Sequence, residues 1–342
     1  MNHVHKTFID LIKEGFHVAN RNLAVLLTQF ISGIVLLFVF LFFAVSIVIL
    51  GLGSLPKLDL STLSVENLSG LVQTSLTLVL LGIVFGLLFL LVMAMVTGYV
   101  HGGNLGCIID TARGDAHGFQ SHTFFADGRK FTWSMVALYI LWGLVTFGMF
   151  LALFIVAGIG IEGILIPLRD SGRSILAFAL GVPFIVVLIL AGILFVFFLY
   201  AGWNFSGIIL VGERKRALSA ITHAYEFLKH NFWDSLLFAL LMFALVFVGN
   251  IITNSIIGIL NFGLSQSQFL LTLALLPLFI AGMLLQMYVG LIARSSFAVY
   301  YLDRTGPLAL QSAAQAASPG APEEAQNGSD EAIFPGPESP EE

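Results

Sequence analysis

Six long apolar runs alternate with polar segments along this chain, and three of them are entered in the same way. Charge-free apolar stretches occupy residues 24–50, 72–100, 132–158, 175–201, 235–256 and 267–293. Each reaches or exceeds the roughly 20 residues a helix needs to cross a hydrocarbon core. The runs are continuous rather than alternating, and a lone helix satisfies its own backbone hydrogen bonds in lipid, so the pattern predicts helices and not barrel strands. The first, third and fifth runs each follow a mixed-polarity segment ending in a polar or basic cluster: Asn20-Arg21-Asn22-Leu23, Gly128-Arg129-Lys130-Phe131 and Lys229-His230-Asn231-Phe232. Recurrence at offsets of 108 and 101 residues predicts three related units, over about 1–110, 111–210 and 211–305.

The segments ahead of these clusters carry a helical period. Phe8, Ile12, Phe16 and Ala19 fall on one face with Leu11 beside them, opposite Lys6, Asp10, Lys13, Glu14, His17 and Arg21. Residues 217–231 repeat the stripe with Leu218, Ile221, Tyr225 and Leu228. Both are expected to be amphipathic helices lying in the membrane interface. In the middle copy Gly114-Asp115-Ala116-His117-Gly118 breaks the period, so a shorter helix is expected from about Ser121, read as its N-cap. The exits of the second and fourth runs also correspond, at an offset of 100: Gly102 with Gly202, Asn104 with Asn204, Ile108 with Ile208, Ile109 with Ile209. The predicted fold class is all-α integral membrane. Six transmembrane helices form three units, each a cytoplasmic amphipathic helix followed by a transmembrane hairpin.

Composition agrees: with 58% hydrophobic and 10% charged residues in 342, an ordinary water-soluble globule is excluded. Charge sets the orientation. With the N-terminus inside, Lys6, Lys13, Arg21, Arg113, Arg129, Lys130, Arg214, Lys215, Arg216, Lys229, Arg294 and Arg304 are cytoplasmic, whereas Lys57, Arg169 and Arg173 are outside. This positive-inside bias places both termini in the cytoplasm, with long cytoplasmic connections at 101–131 and 202–234. Asp10, Lys13, Glu14 and Arg21 before the first run do not fit a cleaved secretory signal, so that span is expected to be retained. Residues 306–342, rich in Ala, Ser, Pro, Gly and Glu, are expected to form a disordered acidic tail. Cys107 is the sole cysteine, which excludes an intramolecular disulfide.

The segments Phe16 to Leu23, Phe124-Phe125-Ala126-Asp127-Gly128-Arg129-Lys130 and Ala217 to Phe232, each leading into a two-span hairpin, carry a resemblance. Over residues 1 to about 305 the chain resembles a group of bacterial six-helix membrane proteins. The group includes the membrane domain found ahead of some glycerophosphodiester phosphodiesterase catalytic domains and the YciC-like inner-membrane proteins. The resemblance implies a multi-pass protein of a bacterial inner membrane. It transfers no functional residues, because the phosphodiesterase activity of the longer relatives resides in a separate soluble barrel.

Candidate chemistry is sparse. His101, His117 and His122, with Asp110, Asp115 and Asp127 nearby, lack any His-x-x-x-His or His-Glu-x-x-His spacing and are read as interfacial loop histidines, so no metal and no cofactor is expected. Asn104, Asn204 and Asn250 are candidates for helix packing or for lining a pathway. No Asp, Glu, Lys, Arg or His falls inside the six runs, which argues against an ion-coupled carrier. Lys6, Lys13, Arg21, Arg129, Lys130, Arg214, Lys215, Arg216 and Lys229 are candidates for contact with anionic lipid headgroups. These residues favour a non-enzymatic role, organising membrane lipids or membrane-protein partners at the inner leaflet, with no nucleic acid involved. A channel or transporter for an apolar or lipid-like substrate is the other reading.

Overall fold

The computed structural model describes residues 6–54, 65–172, 174–264 and 270–306. Among them there is no strand. The helices are α1 (Phe8–Arg21), α2 (Ala24–Ser54), α3 (Val65–Arg113), α4 (Ser121–Gly160), α5 (Ile166–Asp170), α6 (Ser174–Gly212), α7 (Ala217–His230), α8 (Phe232–Leu264) and α9 (Leu270–Thr305), with a π-helical turn Ile161–Leu165 joining α4 to α5. Six of these, α2, α3, α4, α6, α8 and α9, are long and apolar enough to cross a membrane. The expected disordered tail from Pro307 onward lies outside the described residues, as do Lys57 and Arg173.

The spans run well past the apolar stretches. At 1.5 Å per residue, the 49 residues of α3 extend about 70 Å, over twice a hydrocarbon core. The expected connections at 101–131 and 202–234 are therefore mostly helix: only Gly114–Gln120 separates α3 from α4, and Glu213–Arg216 separates α6 from α7. Gly114 (φ +84°) stops α3, its N–H donating to the Thr111 carbonyl at 3.1 Å. The link is then tied to the end of α1, where the Phe119 N–H donates to the Arg21 carbonyl at 3.3 Å.

The polar clusters act as helix stops where they contain asparagine. Asn22 ends α1, its Nδ2 donating to the Val18 carbonyl at 2.9 Å and its backbone N–H to Ala19 at 3.0 Å. Asn231 ends α7 in the same manner, with Nδ2 donating to the Phe227 carbonyl at 3.2 Å. Lys130 occupies the matching place in the middle copy, and there α4 continues without a break into its membrane half. Asparagine competes for helix carbonyls and tolerates the terminating conformation, whereas lysine is a good helix former. The start of α4 differs by one residue from expectation: Gln120 is the N-cap and Ser121 the first helical residue, with the Phe124 N–H donating to the Gln120 carbonyl at 3.0 Å.

The core lies at one end of the bundle. Leu105, Ile108 and Ile109 of α3, Phe205 and Ile208 to Leu210 of α6, and Phe297 to Tyr301 of α9 are buried together. Phe205 meets Phe297 at 5.2 Å, Phe238 of α8 stacks on Tyr300 at 4.5 Å, and Phe227 of α7 meets Tyr301 at 5.0 Å. Away from this end, no more than 6% of the most apolar window of α2, α3, α4 or α6 is buried, so lipid must solvate the rest. The uncovered halves touch through rings such as Phe43 with Phe85 and Phe150 with Phe195.

Three short helical pieces cap the core, each seated on the end of a long helix, two of them by close backbone approach. The start of α4 lies on α3, where a Cβ at Gly103 would stand 2.5 Å from the Phe124 carbonyl oxygen. α7 lies on α6 through Phe227 and Phe205. α1 reaches from the beginning of the chain to α9, where Gly15 sits against the Ser296 backbone and Phe16 meets Tyr288. This seating sets which face of each helix meets protein. The buried residues of α1 are Leu11, Gly15, Val18 and Ala19, and those of α7 are Ala217, Ala220, Ala224 and Leu228, so small residues meet protein. Phe16, Leu218 and Tyr225 from the expected apolar stripes point outward, at 45%, 67% and 54% exposure.

A methyl group at Gly15 would stand 2.6 Å from the Ser296 Cα, whereas one at Gly33 of α2 meets nothing within 4 Å. Gly15→Ala is expected to destabilise the capped end by roughly 1–3 kcal/mol through overpacking, with Gly33→Ala near neutral. Thermal unfolding of the detergent-solubilised variants followed by circular dichroism checks this, and equal midpoints would refute the seating of α1 on α9.

Candidate functional site

The basic candidates form a rim at the capped end. Lys13, Arg21, Arg129, Lys130, Arg214, Arg216 and Lys229 are exposed and form no ion pair among the described residues. Lys6 is paired with Glu14 at 2.5 Å and Lys215 with Glu213 at 2.9 Å, which leaves those two less charge to offer a ligand. Glu213 also accepts a short hydrogen bond from the Tyr301 hydroxyl. Arg214 adopts a left-handed backbone (φ +55°), unusual for a residue with a side chain, in the four-residue link that turns α6 into α7. Its charge reaches Asp110 and Asp127.

Of the three asparagines, Asn104 bonds across to another helix. Asn104 is buried on α3 and its Oδ1 accepts a hydrogen bond of 2.8 Å from Thr28 of α2, leaving Nδ2 without a partner among the described residues. Asn204 donates to the Tyr200 carbonyl of its own helix at 2.8 Å. Asn250 is partly buried on α8. The neighbouring glycines have the same use: Gly102 lies against Phe131 and Gly202 against Trp142, both of α4.

The three histidines do not come together. His117 is exposed in the link after α3, and His122 is exposed in the first turn of α4 beside the Thr123 hydroxyl. Among the described residues, no three His, Cys, Asp or Glu side chains are placed to hold a metal ion. His101 is not a loop residue: it lies within α3, partly buried, its ring edge-on to Tyr139 of α4 at 6.2 Å. Tyr139 in turn stacks on Trp203 of α6 at 5.1 Å, and Gly207 of α6 leaves room beside His101 Nε2.

Arg294 of α9 lies within electrostatic range of this aromatic group. It follows the buried Leu291, Ile292 and Ala293, is itself partly buried, and its charge acts on His101, Tyr139 and Tyr200. No carboxylate and no hydrogen-bond acceptor engages it among the described residues. The other partly buried arginines differ: Arg113 donates to the Gly212 carbonyl at 2.8 Å, and Arg304 pairs with Asp234 at 3.0 Å. A guanidinium stays charged at any physiological pH, and withdrawing that charge from water without a counter-charge costs several kcal/mol. The sequence places Arg294 among the cytoplasmic cations, one residue beyond the sixth apolar run, and not among the site candidates. The signal that could have found it is that the helical pattern continues through Phe297 and Tyr300, which places an arginine inside a helix with a buried face.

Together the six apolar helices define a multi-pass, all-helical membrane protein. Comparison with protein-family models, with curated proteins and with solved structures finds no match to this chain.

If Asn104 is a packing residue, its value lies in the bond to Thr28. Asn104→Ala and Thr28→Val are each expected to lower stability by about 1 kcal/mol, and the double variant by little more than either. A double-mutant cycle on unfolding midpoints measures the coupling, and full additivity would overturn the packing role.

Proposed function

We propose that this protein is a non-enzymatic organiser of lipids or partner proteins at the inner leaflet of a bacterial cytoplasmic membrane. In this reading the capped end and both termini are cytoplasmic, and the chain consists of three copies of a cap helix followed by a transmembrane hairpin. The observation that carries it is a shared register between α1 and α7. Ile9, Phe16 and Leu23 are exposed, and so are Leu218, Tyr225 and Phe232, each 209 residues further on. Leu11, Gly15 and Ala19 are buried, as are Ala220, Ala224 and Leu228 at the same separation. One face of each cap helix therefore seats on protein while another presents apolar side chains beside unpaired cations such as Lys13, Arg21, Arg216 and Lys229. Apolar groups entering the acyl boundary next to cations in the headgroup layer suit an anionic membrane surface.

The same features weigh against a channel or transporter for an apolar or lipid-like substrate. Asn104 faces Thr28 instead of a passage, and aromatic rings fill the end where the long helices converge. The resemblance to bacterial six-helix membrane proteins is consistent with the proposed location.

Each exposed cation near an anionic surface contributes about 1 kcal/mol, screened by salt. The variant Arg129→Gln, Lys130→Gln, Arg214→Gln, Arg216→Gln is expected to reduce enrichment of anionic lipid around the reconstituted protein several-fold, measured by energy transfer to labelled phosphatidylglycerol. Unchanged lipid preference would remove the headgroup role. The orientation has its own test in a Cys107→Ser background, in which Lys13→Cys is expected to react with an impermeant thiol reagent only from the cytoplasmic side and Arg169→Cys only from the outer side. The reverse pattern would invert the topology.

A further inference from the structure

α1 is held to the rest of the chain unevenly. Among the described residues, its hydrogen bonds to other elements all lie at its C-terminal end: Tyr288 of α9 donates to Asn20 at 2.6 Å, the Phe119 N–H donates to the Arg21 carbonyl at 3.3 Å, and Thr111 of α3 donates to Asn22 at 3.4 Å. Over residues 6–19 the side-chain bonds are internal, Lys6 to Glu14 and Thr7 to Asp10. That part seats on α8 and α9 by van der Waals contact, with Phe8 against Phe238 and Tyr300 and Gly15 against Ser296. The other caps are held differently. At the start of α7 the Gly212 carbonyl accepts from Arg113 at 2.8 Å and Glu213 accepts from Tyr301, and just past its end Asp234 pairs with Arg304 at 3.0 Å. α4 runs from its cap into its span without a joint.

The seat beneath α1 also carries a polar group without a partner. Ser296 is fully buried, its hydroxyl has no hydrogen-bond partner among the described residues, and a Cβ at Gly15 would stand 2.6 Å from its Cα. The neighbouring Ser295 hydroxyl is buried and unpartnered in the same way. On α6, which carries α7, the buried Ser206 hydroxyl instead donates to the Gly202 carbonyl at 2.6 Å. A buried hydroxyl without a partner forfeits the bonds it makes with water, and at Ser296 it regains them when the helix above moves aside. The move costs little in apolar burial, because acyl chains are as apolar as the side chains of the seat. Phe8, Leu11 and Ile12 exchange one apolar surrounding for another, while Lys6 and Lys13 meet headgroup phosphates.

We propose that α1 is a strap: hinged at residues 20–22, it lifts from α9 at its Phe8 end and enters the interface of an anionic membrane. The proposal rests on the lipid-organising reading and supplies its regulation. Anionic lipid favours the lifted state, by as much as it binds that state more tightly, and so opens the joint between the first cap and the last helix.

The test measures the distance between spin labels on two exposed cap positions, Ile9→Cys and Leu218→Cys, in the full chain carrying Cys107→Ser, by pulsed electron spin resonance in nanodiscs. At 1.5 Å per residue Ile9 stands about 20 Å from Asn22 along the helix, so a swing of about thirty degrees displaces it by about 10 Å. Phosphatidylcholine is expected to give mainly one distance, and phosphatidylglycerol a second population raised several-fold. Labels at Leu23→Cys and Leu218→Cys, beside the hinge, are expected to give one distance in both lipids. Ser296→Ala, which removes the unpartnered hydroxyl, is expected to lower the second population several-fold, and Gly15→Ala, which overfills the seat, to raise it. A single unchanged distance from Ile9 to Leu218 in both lipids overturns the strap. A second population of equal size in the two lipids overturns the lipid trigger, and one that Ser296→Ala leaves unchanged overturns the part given to the hydroxyl. The rim variant separates the strap from the broader reading. Reduced phosphatidylglycerol enrichment in that variant, with one α1 distance in the unaltered protein, overturns the strap and leaves the organiser; unchanged enrichment with a lipid-dependent second distance does the opposite.

Discussion

Close backbone approach at the capped end is the constraint on which the rest of the structure depends. In lipid there is no hydrophobic driving force to bring helices together, so association needs tight van der Waals contact and shared hydrogen bonds. The membrane halves of α2, α3, α4 and α6 supply less of either, through ring contacts and a few close approaches such as Gly160 against Phe184. At the other end Gly15 admits Ser296, Gly103 admits Phe124, and Gly106 admits Asp127, bringing helix backbones within reach of side chains that would otherwise hold them apart. Onto this frame pack the rings of Phe205, Phe297 and Tyr300. The cations of the rim are carried by helices packed together at this end.

The seating of α1 on α9 gives the arrangement its closure. The start of α4 rests on the helix just before it, and α7 likewise rests on α6. α1 rests instead on the last helix, with Tyr288 donating to Asn20 at 2.6 Å and Phe8 reaching Phe238 and Tyr300. Contacts between residues nearly 300 positions apart thus complete a ring that local contacts begin. Folding of that joint must await α9.

The helices themselves were legible in the sequence because an apolar run of this length has only one economical structure in lipid. The stops at Asn22 and Asn231 were legible as clusters, and their physical basis, a side-chain amide on a helix carbonyl, emerges only from geometry. The apolar stripes of α1 and α7 were legible, but not which face of each helix seats on protein. Hydropathy ranks Phe16, Leu218 and Tyr225 above Gly15, Ala220 and Ala224, yet close packing selects the small residues and sends the large ones outward. Arg294 escaped for a related reason. Spans were drawn to end where charge begins, whereas α9 continues well beyond that point, and which arginine would be left without a carboxylate depends on side chains from three other helices.

The unbroken α4 has a mechanical consequence. At Asn22 and Asn231 the chain bends between cap and span, so α2 and α8 can tilt while α1 and α7 stay seated. α4 has no such joint, and its 40 residues form a rod about 60 Å long with one end in the rim and the other in the bilayer. A tilt of about ten degrees, within the range by which helices accommodate bilayer thickness, displaces one end of the rod relative to the other by about 10 Å. Of the three caps, the one bearing Arg129 and Lys130 is thus geared to its span, and the thickness of the surrounding lipid is transmitted to the rim through that helix alone.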